Sequence, residues 1–383
     1  MRTRAFWLAS AVIFLDEVVF LALVPLLPYY SERFDLTKTE TGFLVSAYPL
    51  LVLVACLPAG FLCDRRGARP LMIVGTVLLV AATVGFAYAD STWQLFASRA
   101  VQGFGSGLTA TAGMAIIANS ARVGQRGKVI SLAVALQGAS AVVGPVVGGY
   151  GASELGIRTA LLLPAAFGML VIIASVRTSL HVTRRLERPQ YLLTPLRDPD
   201  VRAASACMLT LGAWGGAVQT LGPLRLGEAG YSAAELGTVF VVAALIGLAL
   251  TPIVGALADA HGSVQTMLVW SALVSVLLVA LALAAKAIVV AGLLAALLPL
   301  ARVGGALAYM RGAEYAPLGG GMGSGFGIAV SAWSVGAVVG PPCAGAIADR
   351  ANYALAFAVF AAANAALTAP MVARQSVPQS GAT

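Results

Sequence analysis

The chain has 383 residues, of which 59% are apolar and 10% charged, with 42 glycines and a formal net charge of +8. A soluble domain carries about 25% charged residues, so a cytosolic enzyme, a nucleic-acid binder and a secreted disulfide scaffold are excluded. The apolar residues are enough for about twelve membrane helices of roughly 20 residues each.

Apolar stretches fall near 6–29, 40–63, 71–89, 93–117, 128–150 and 159–176. A polar, arginine-rich stretch over 177–202 follows, and then six more apolar stretches near 203–224, 234–258, 264–285, 287–310, 324–348 and 353–373. Each is long enough to cross a hydrocarbon core of about 30 Å as a helix. Open strands are excluded because lipid leaves their backbone groups unsatisfied. The expected fold is an all-α membrane protein of 12 transmembrane helices in two pseudo-symmetric six-helix bundles. Residues 1–176 form the first bundle, 177–202 a basic linker, and 203–383 the second bundle with a short tail. The start, Met1 to Arg4 and then an apolar run, looks like a leader. The run is broken by Asp16 and Glu17 and has no small-residue cleavage site, so it reads as a retained first span.

Lys and Arg set the orientation. With both termini cytoplasmic, sixteen fall on the cytoplasmic side and six opposite, while Arg99 and Arg302 lie inside spans. This predicts a multi-pass protein of the inner (plasma) membrane. Cys56, Cys63, Cys207 and Cys343 are scattered without a CxxC spacing and read as free thiols. Two histidines, His181 and His261, cannot build a His-based metal site. Neither Gly319–Gly321 nor the glycines after Gly103 follow a strand, so they are not nucleotide motifs. No metal and no cofactor is expected, and ATP is not the energy source.

The halves repeat. Gly60-Phe61-Leu62-Cys63-Asp64 returns as Gly255-Ala256-Leu257-Ala258-Asp259, and Ala141-Val142-Val143-Gly144-Pro145 returns as Ala337-Val338-Val339-Gly340-Pro341. Arg99 and Arg302 correspond, as do Pro25 with Gly42 and Pro223 with Gly237. Paired repeats of this kind are the architecture of secondary transporters, with a site near the midplane.

At these residues the chain resembles a major facilitator superfamily transporter over essentially its whole length. Gly60, Asp64, Arg65, Arg66, Gly67 and Arg69 resemble the superfamily's motif between spans two and three. Arg99, Gln102, Gly103 and Gly105 resemble its span-four motif. Gly138, Gly144, Pro145, Gly148 and Gly149 are similar to the proton-linked antiporter motif of span five. Leu15, Asp16, Glu17, Pro25 and Pro28 look like the first span of drug:proton antiporters and vesicular amine transporters. The second-half loop, Asp259-Ala260-His261-Gly262, lacks the arginines, and span seven holds no acid. The resemblance implies a proton-coupled antiporter, driven by the proton gradient, that exports small amphipathic cations.

Only Asp16 and Glu17 among the acids fall within a span. A charge at that depth costs about 2.5–3.5 kcal/mol on insertion scales. A carboxyl held in low dielectric can take up and release a proton near neutral pH, which makes the two acids candidate proton carriers. They point about 100° apart on a helix, so both need not face one cavity. The alternative is a structural carboxylate paired with an arginine. Arg99 lies on a stripe with Gln102, Ser106 and Thr109 at helical spacing; it is either a coupling element or one half of a static ion pair. Asp16, Gln102, Gln137, Trp214, Gln219, Arg302, Tyr309 and Trp333 are the candidate substrate contacts, combining apolar walls, aromatic faces and a few polar groups. Gly60, Asp64, Arg65, Gly67, Arg69 and Asp259 are expected to latch helices at the cytoplasmic face. Gly144, Pro145, Gly340 and Pro341 are expected to bend helices that pack closely. The expected partners are a small-molecule substrate, protons and the bilayer, with no nucleic acid, and the chain is expected to be a monomer. A facilitator or symporter of a neutral or anionic metabolite, with Arg99 and Arg302 on the substrate, is the alternative within transport. A non-transporting receptor is the alternative outside it. No nucleophile–base constellation points to an enzyme.

Overall fold

The computed structural model describes residues 2–120, 126–178, 199–314 and 322–375. Most of the expected linker 177–202, together with His181, Gly319–Gly321 and the tail from 376, lies outside the described residues.

Every described element is helical. The first crossing is α1 (Arg2–Ala22), a 3-10 turn (Val24–Leu26) and α2 (Leu27–Arg33). Pro25 has no N–H to continue α1, so the rod changes pitch there and resumes. Then come α3 (Lys38–Arg66), α4 (Ala68–Ala87) and α5 (Thr92–Ser120). α6 (Arg126–Val146) carries Pro145 in its last turn and runs into a π turn (Val147–Gly151) and the short α7 (Ala152–Leu155). α8 (Ile157–Arg177) follows. The second half is α9 (Pro199–Glu228), α10 (Ala233–His261), α11 (Ser263–Leu283), α12 (Ala287–Glu314), α13 (Met322–Arg350) and α14 (Tyr353–Gln375). These make twelve helical rods among the described residues. Nine contain a stretch long and apolar enough to cross a membrane. The short breaks around Asp90 and Lys286 separate α4 from α5 and α11 from α12, so neither pair of stretches merges.

Two compact units result. One holds 1–36, 43–188 and 227–241, the other 37–42, 189–226 and 242–383. In the first unit, Ala9, Val12, Met72, Ala112, Ile116 and Ile117 form one apolar core, and Leu26, Tyr30, Leu44, Phe86 and Leu161 another. Exposed residues such as Leu170, Val269, Leu283 and Ile288 are large and apolar, the inverse of a water-soluble surface and what a lipid-facing one requires.

The repeat extends to the local devices that start and stop helices. Thr37 and Glu40 form a reciprocal capping box before α3, and Ser232 and Glu235 form the equivalent box before α10. Gly67 and Gly262 turn the chain at φ +84° and +91° before α4 and α11, a backbone region that a side chain would strain. The second-half loop keeps this glycine where it lost the arginines.

Candidate functional site

Asp16 sits near the middle of the first crossing, which runs Arg4–Arg33, and only 8% of it is exposed. Two hydroxyls serve its carboxyl. The Tyr48 hydroxyl of α3 donates to Oδ1 at 2.7 Å, and the Ser106 hydroxyl of α5 donates to Oδ2 at 2.7 Å. Glu17 turns the other way, where Gln137 Nε2 of α6 donates to its Oε2 at 3.3 Å. The two acids thus serve different helix contacts, as their angular separation requires.

Arg99 is buried in α5, and its guanidinium is held by faces rather than by a carboxylate. It lies 4.6 Å from the Tyr48 ring centre and 5.1 Å from that of Phe20, an arrangement in which aromatic quadrupoles stabilise a desolvated cation. It donates to Gln102 Oε1 at 3.1 Å, and Gln102 Nε2 donates onward to Thr83 Oγ1 at 3.2 Å. Arg99 Nε is buried without a hydrogen-bond partner among the described residues. A void of about 10 Å³ beside Arg99, Gln102 and Thr83 has room for about one water. No ion pair joins Arg99 to Asp16 among the described residues. Tyr48 links them instead, hydroxyl to the acid and ring to the base.

Close helix approach explains why these groups meet. A Cβ on Gly103 would strike the Tyr48 carbonyl oxygen, with the Tyr48 Cα at 2.8 Å. The glycine in the span-four motif therefore sets the distance between α5 and α3, and with it the reach of Tyr48. Gly75 and Gly105 do the same between α4 and α5, each facing the other's carbonyl at under 3 Å.

The arrangement can hold a proton or release one without breaking. A hydroxyl donates to a carboxylate, and either Tyr48 or Ser106 can turn to accept from a carboxylic acid. Both carboxyl oxygens keep a hydroxyl partner in either state, so neither state leaves the acid itself unsatisfied. Tyr48, Phe20 and Thr83 are missed by reading the sequence. The one signal for Tyr48 is that it is the only tyrosine in the second apolar stretch.

The remaining candidates are spread widely. Gly144 lets α6 approach α1, where a Cβ would meet that of Leu21 at 2.6 Å. Gly340 packs on the Ala213 carbonyl, and a Cβ on Gly216 would meet the Pro341 ring at 2.8 Å. Trp214 is 1% exposed, its Nε1 lacks a partner among the described residues, and its ring lies 6.4 Å from that of Trp270. Gln219 and Trp333 are half-buried. The side chains of Arg302, Tyr309 and Asp64 lie outside the described residues. Gly60 has open space around its Cα, Arg65 lies 4.1 Å from the Phe61 ring centre, and Asp259 is exposed. Arg69 donates to the Ser175 and Val176 carbonyls at 3.3 and 2.7 Å, capping the C-terminal end of α8.

The sequence profile of the Major Facilitator Superfamily matches residues 6–318. This chain belongs to the major facilitator superfamily. Among its relatives, the MFS-type transporter ppzB of Metarhizium rileyi is 27% identical over 210 residues, 51% of this chain and 43% of that one. The quinolone resistance protein NorA of Staphylococcus aureus is 27% identical over 154 residues, 40% of this chain and 39% of that one. Both matches span less than half of the relative's length. A solved bacterial homologue of the human lysosomal transporter Spinster shares the fold, with a TM-score of 0.73 at 14% identity over 97% of this chain and 95% of that one. For this superfamily member, a multi-pass membrane protein, the buried Asp16–Tyr48–Ser106 cluster is the most distinctive chemistry in the first unit.

Proposed function

We propose that the chain is a secondary active transporter, a proton-coupled antiporter that exports small amphipathic cations by alternating access. The observation that carries this reading is Asp16: a membrane-embedded carboxyl served by two hydroxyls and free of any ion pair with Arg99 among the described residues. An acid locked to an arginine would be a packing element. An acid held by reversible hydroxyls can change charge. Ionised, it draws a cation to the helix face; protonated, it lets the cation go. Arg99 stays charged throughout and rests on the ring whose hydroxyl serves the acid. Glu17 with Gln137 is the second carboxyl of the coupling set. A relative named for quinolone resistance supports amphipathic drug-like cargo. The Lys/Arg asymmetry supports both termini in the cytoplasm and residence in the plasma membrane.

The test is transport in proteoliposomes with a pH-sensing dye inside and a fluorescent cation outside. Asp16→Asn inserts normally and loses flux driven by the pH gradient. Unchanged proton-driven flux in both Asp16→Asn and Glu17→Gln removes the coupling. Cation flux with no proton movement replaces the antiporter with a facilitator.

A further inference from the structure

A hollow of about 580 Å³ opens at the end of the first unit away from the N-terminus. Tyr29, Tyr30 and Arg33 line it from α2, Ala87 from α4, and Ala152 with the run Leu155 to Thr159 from the turn into α8. It shares no residue with the Asp16 cluster. Its polar groups favour an anion. Arg33 donates to Asp90 Oδ1 at 3.1 Å, and Arg158 lies 3.8 Å from the same oxygen. Two guanidiniums share one carboxylate, which leaves a positive charge over. The first turn of α8 also faces the hollow. Its N-cap is Gly156 at φ +80°, and no side chain caps it, so the amides of Ile157, Arg158 and Thr159 present the positive end of a 21-residue helix.

Tyr30 is an independent pointer to a ligand. It is 2% exposed, with its ring packed 5.0 Å from Phe86 and stacked 6.3 Å from Phe34. It lines the hollow, both guanidinium charges act on it, and its hydroxyl has no hydrogen-bond partner among the described residues. A phenol hydroxyl on the wall of the hollow, unpaired within the protein among the described residues and beside two cations and an uncapped helix, is placed to donate to an acceptor bound there.

The surroundings say what carries that acceptor. Ala87, Leu155 and Ile157 give the hollow apolar walls. Tyr29, Tyr88 and Trp93 are exposed at the same helix ends, Trp93 at 70%, which marks the depth of lipid headgroups. A free phosphate would use the cations and leave the walls unused. We infer that this hollow binds a phosphate ester anion, presented by the headgroup of an anionic phospholipid whose chains lie along the apolar wall. The inference is independent of the transport reading.

Native mass spectrometry of the full-length protein in detergent tests it, with phosphatidylglycerol as the probe and diacylglycerol as the phosphate-free control. The expected result is retention of phosphatidylglycerol over diacylglycerol. Arg158→Gln weakens it about three- to fivefold, the scale of one half-exposed ion pair, and Asp90→Asn strengthens it by a similar factor. Both variants break the same ion pair, so a folding defect would lower binding in both, whereas a phosphate site moves them in opposite directions. Equal phosphatidylglycerol binding by wild type and both variants overturns the site. Displacement of the lipid by glycerol phosphate or inorganic phosphate at matching concentration overturns the assignment to lipid.

Discussion

Gly103→Ala should do more harm than its size suggests. The added Cβ would fall 2.8 Å from the Tyr48 Cα, where ordinary contact begins at 3.4 Å, and nearer still to the Tyr48 carbonyl oxygen. Those atoms are backbone, so relief requires α3 to back away by at least about 0.6 Å. The Tyr48–Asp16 hydrogen bond is 2.7 Å long and ends near 3.0 Å, so a shift of that size takes it out of range. Overpacking costs about 1–3 kcal/mol. The helix preference of Ala over Gly returns about 0.5–1 kcal/mol, leaving a net loss of about 0–2.5 kcal/mol. Losing a hydrogen bond to a charged group, about 1.5 kcal/mol, corresponds to about a tenfold loss of proton-driven flux. Gly113→Ala, ten residues along the same helix, is the control. Its Cβ would crowd the Ile13 side chain at 3.2 Å, which can turn aside, and would reach the Ala9 carbonyl only at an ordinary contact distance of 3.7 Å. Thermal unfolding by tryptophan fluorescence, with flux in proteoliposomes, separates the two. Gly103→Ala melts lower and transports about tenfold less, while Gly113→Ala melts at or above wild type. Two alanine variants that behave alike would refute the argument that α5 sets the reach of Tyr48.

Tyr48→Phe keeps the ring beneath Arg99 and removes only the donor to Asp16, so flux falls about tenfold and melting stability falls by about 1.5 kcal/mol. Tyr48→Leu also strips one aromatic face from the cation and melts lower by about a further 1 kcal/mol; identical melting of the two would contradict the cation–π geometry. Arg69→Gln removes donors from the last carbonyls of α8 and costs about 1 kcal/mol in unfolding experiments, and Arg69→Lys recovers part of it. Asp349 accepts from the Lys38 and Thr39 amides at 3.1 and 2.9 Å and from the Thr39 hydroxyl at 2.6 Å. Asp349→Ala should therefore lower the melting stability by about 1–2 kcal/mol, and Asp349→Asn, which keeps one acceptor, by less.

What the sequence could show depended on whether a feature is local. Periodicity located the rods because apolar runs of membrane length have few alternatives. Asp16 stood out because an acid deep in such a run is costly. Its partners were invisible for a different reason. The Tyr48 hydroxyl reaches Asp16 from 32 residues away and Ser106 from 90, and a helical wheel says which face a residue occupies, not which residue faces it. The stripe of Arg99, Gln102 and Ser106 was legible at its helical spacing. That Arg99 would settle on aromatic faces rather than on an acid was not, since both outcomes place an arginine on the same stripe. The π turn beyond Pro145 was legible only as a kink, because the removed hydrogen bond fixes where the helix fails and not how it recovers.

The repeat separates scaffold from chemistry. Helix starts and tight turns survive in both halves: the capping boxes at Thr37 with Glu40 and Ser232 with Glu235, and the positive-φ glycines 67 and 262. The carboxyl cluster does not. Carrying Pro25 onto Pro223 carries Asp16 onto Trp214, and carrying Gly42 onto Gly237 carries Tyr48 onto Ala243. Both replacements are buried, at 1% and 3% exposure, so the second half fills with apolar volume the positions where the first half holds an acid and its donor. A membrane protein that repeats its fold has no packing reason to keep an insertion cost on one side only. A cost retained on one side alone fits the coupling role proposed for the first-span acids, Asp16 and Glu17, which have no equivalents at the matching positions of the second half.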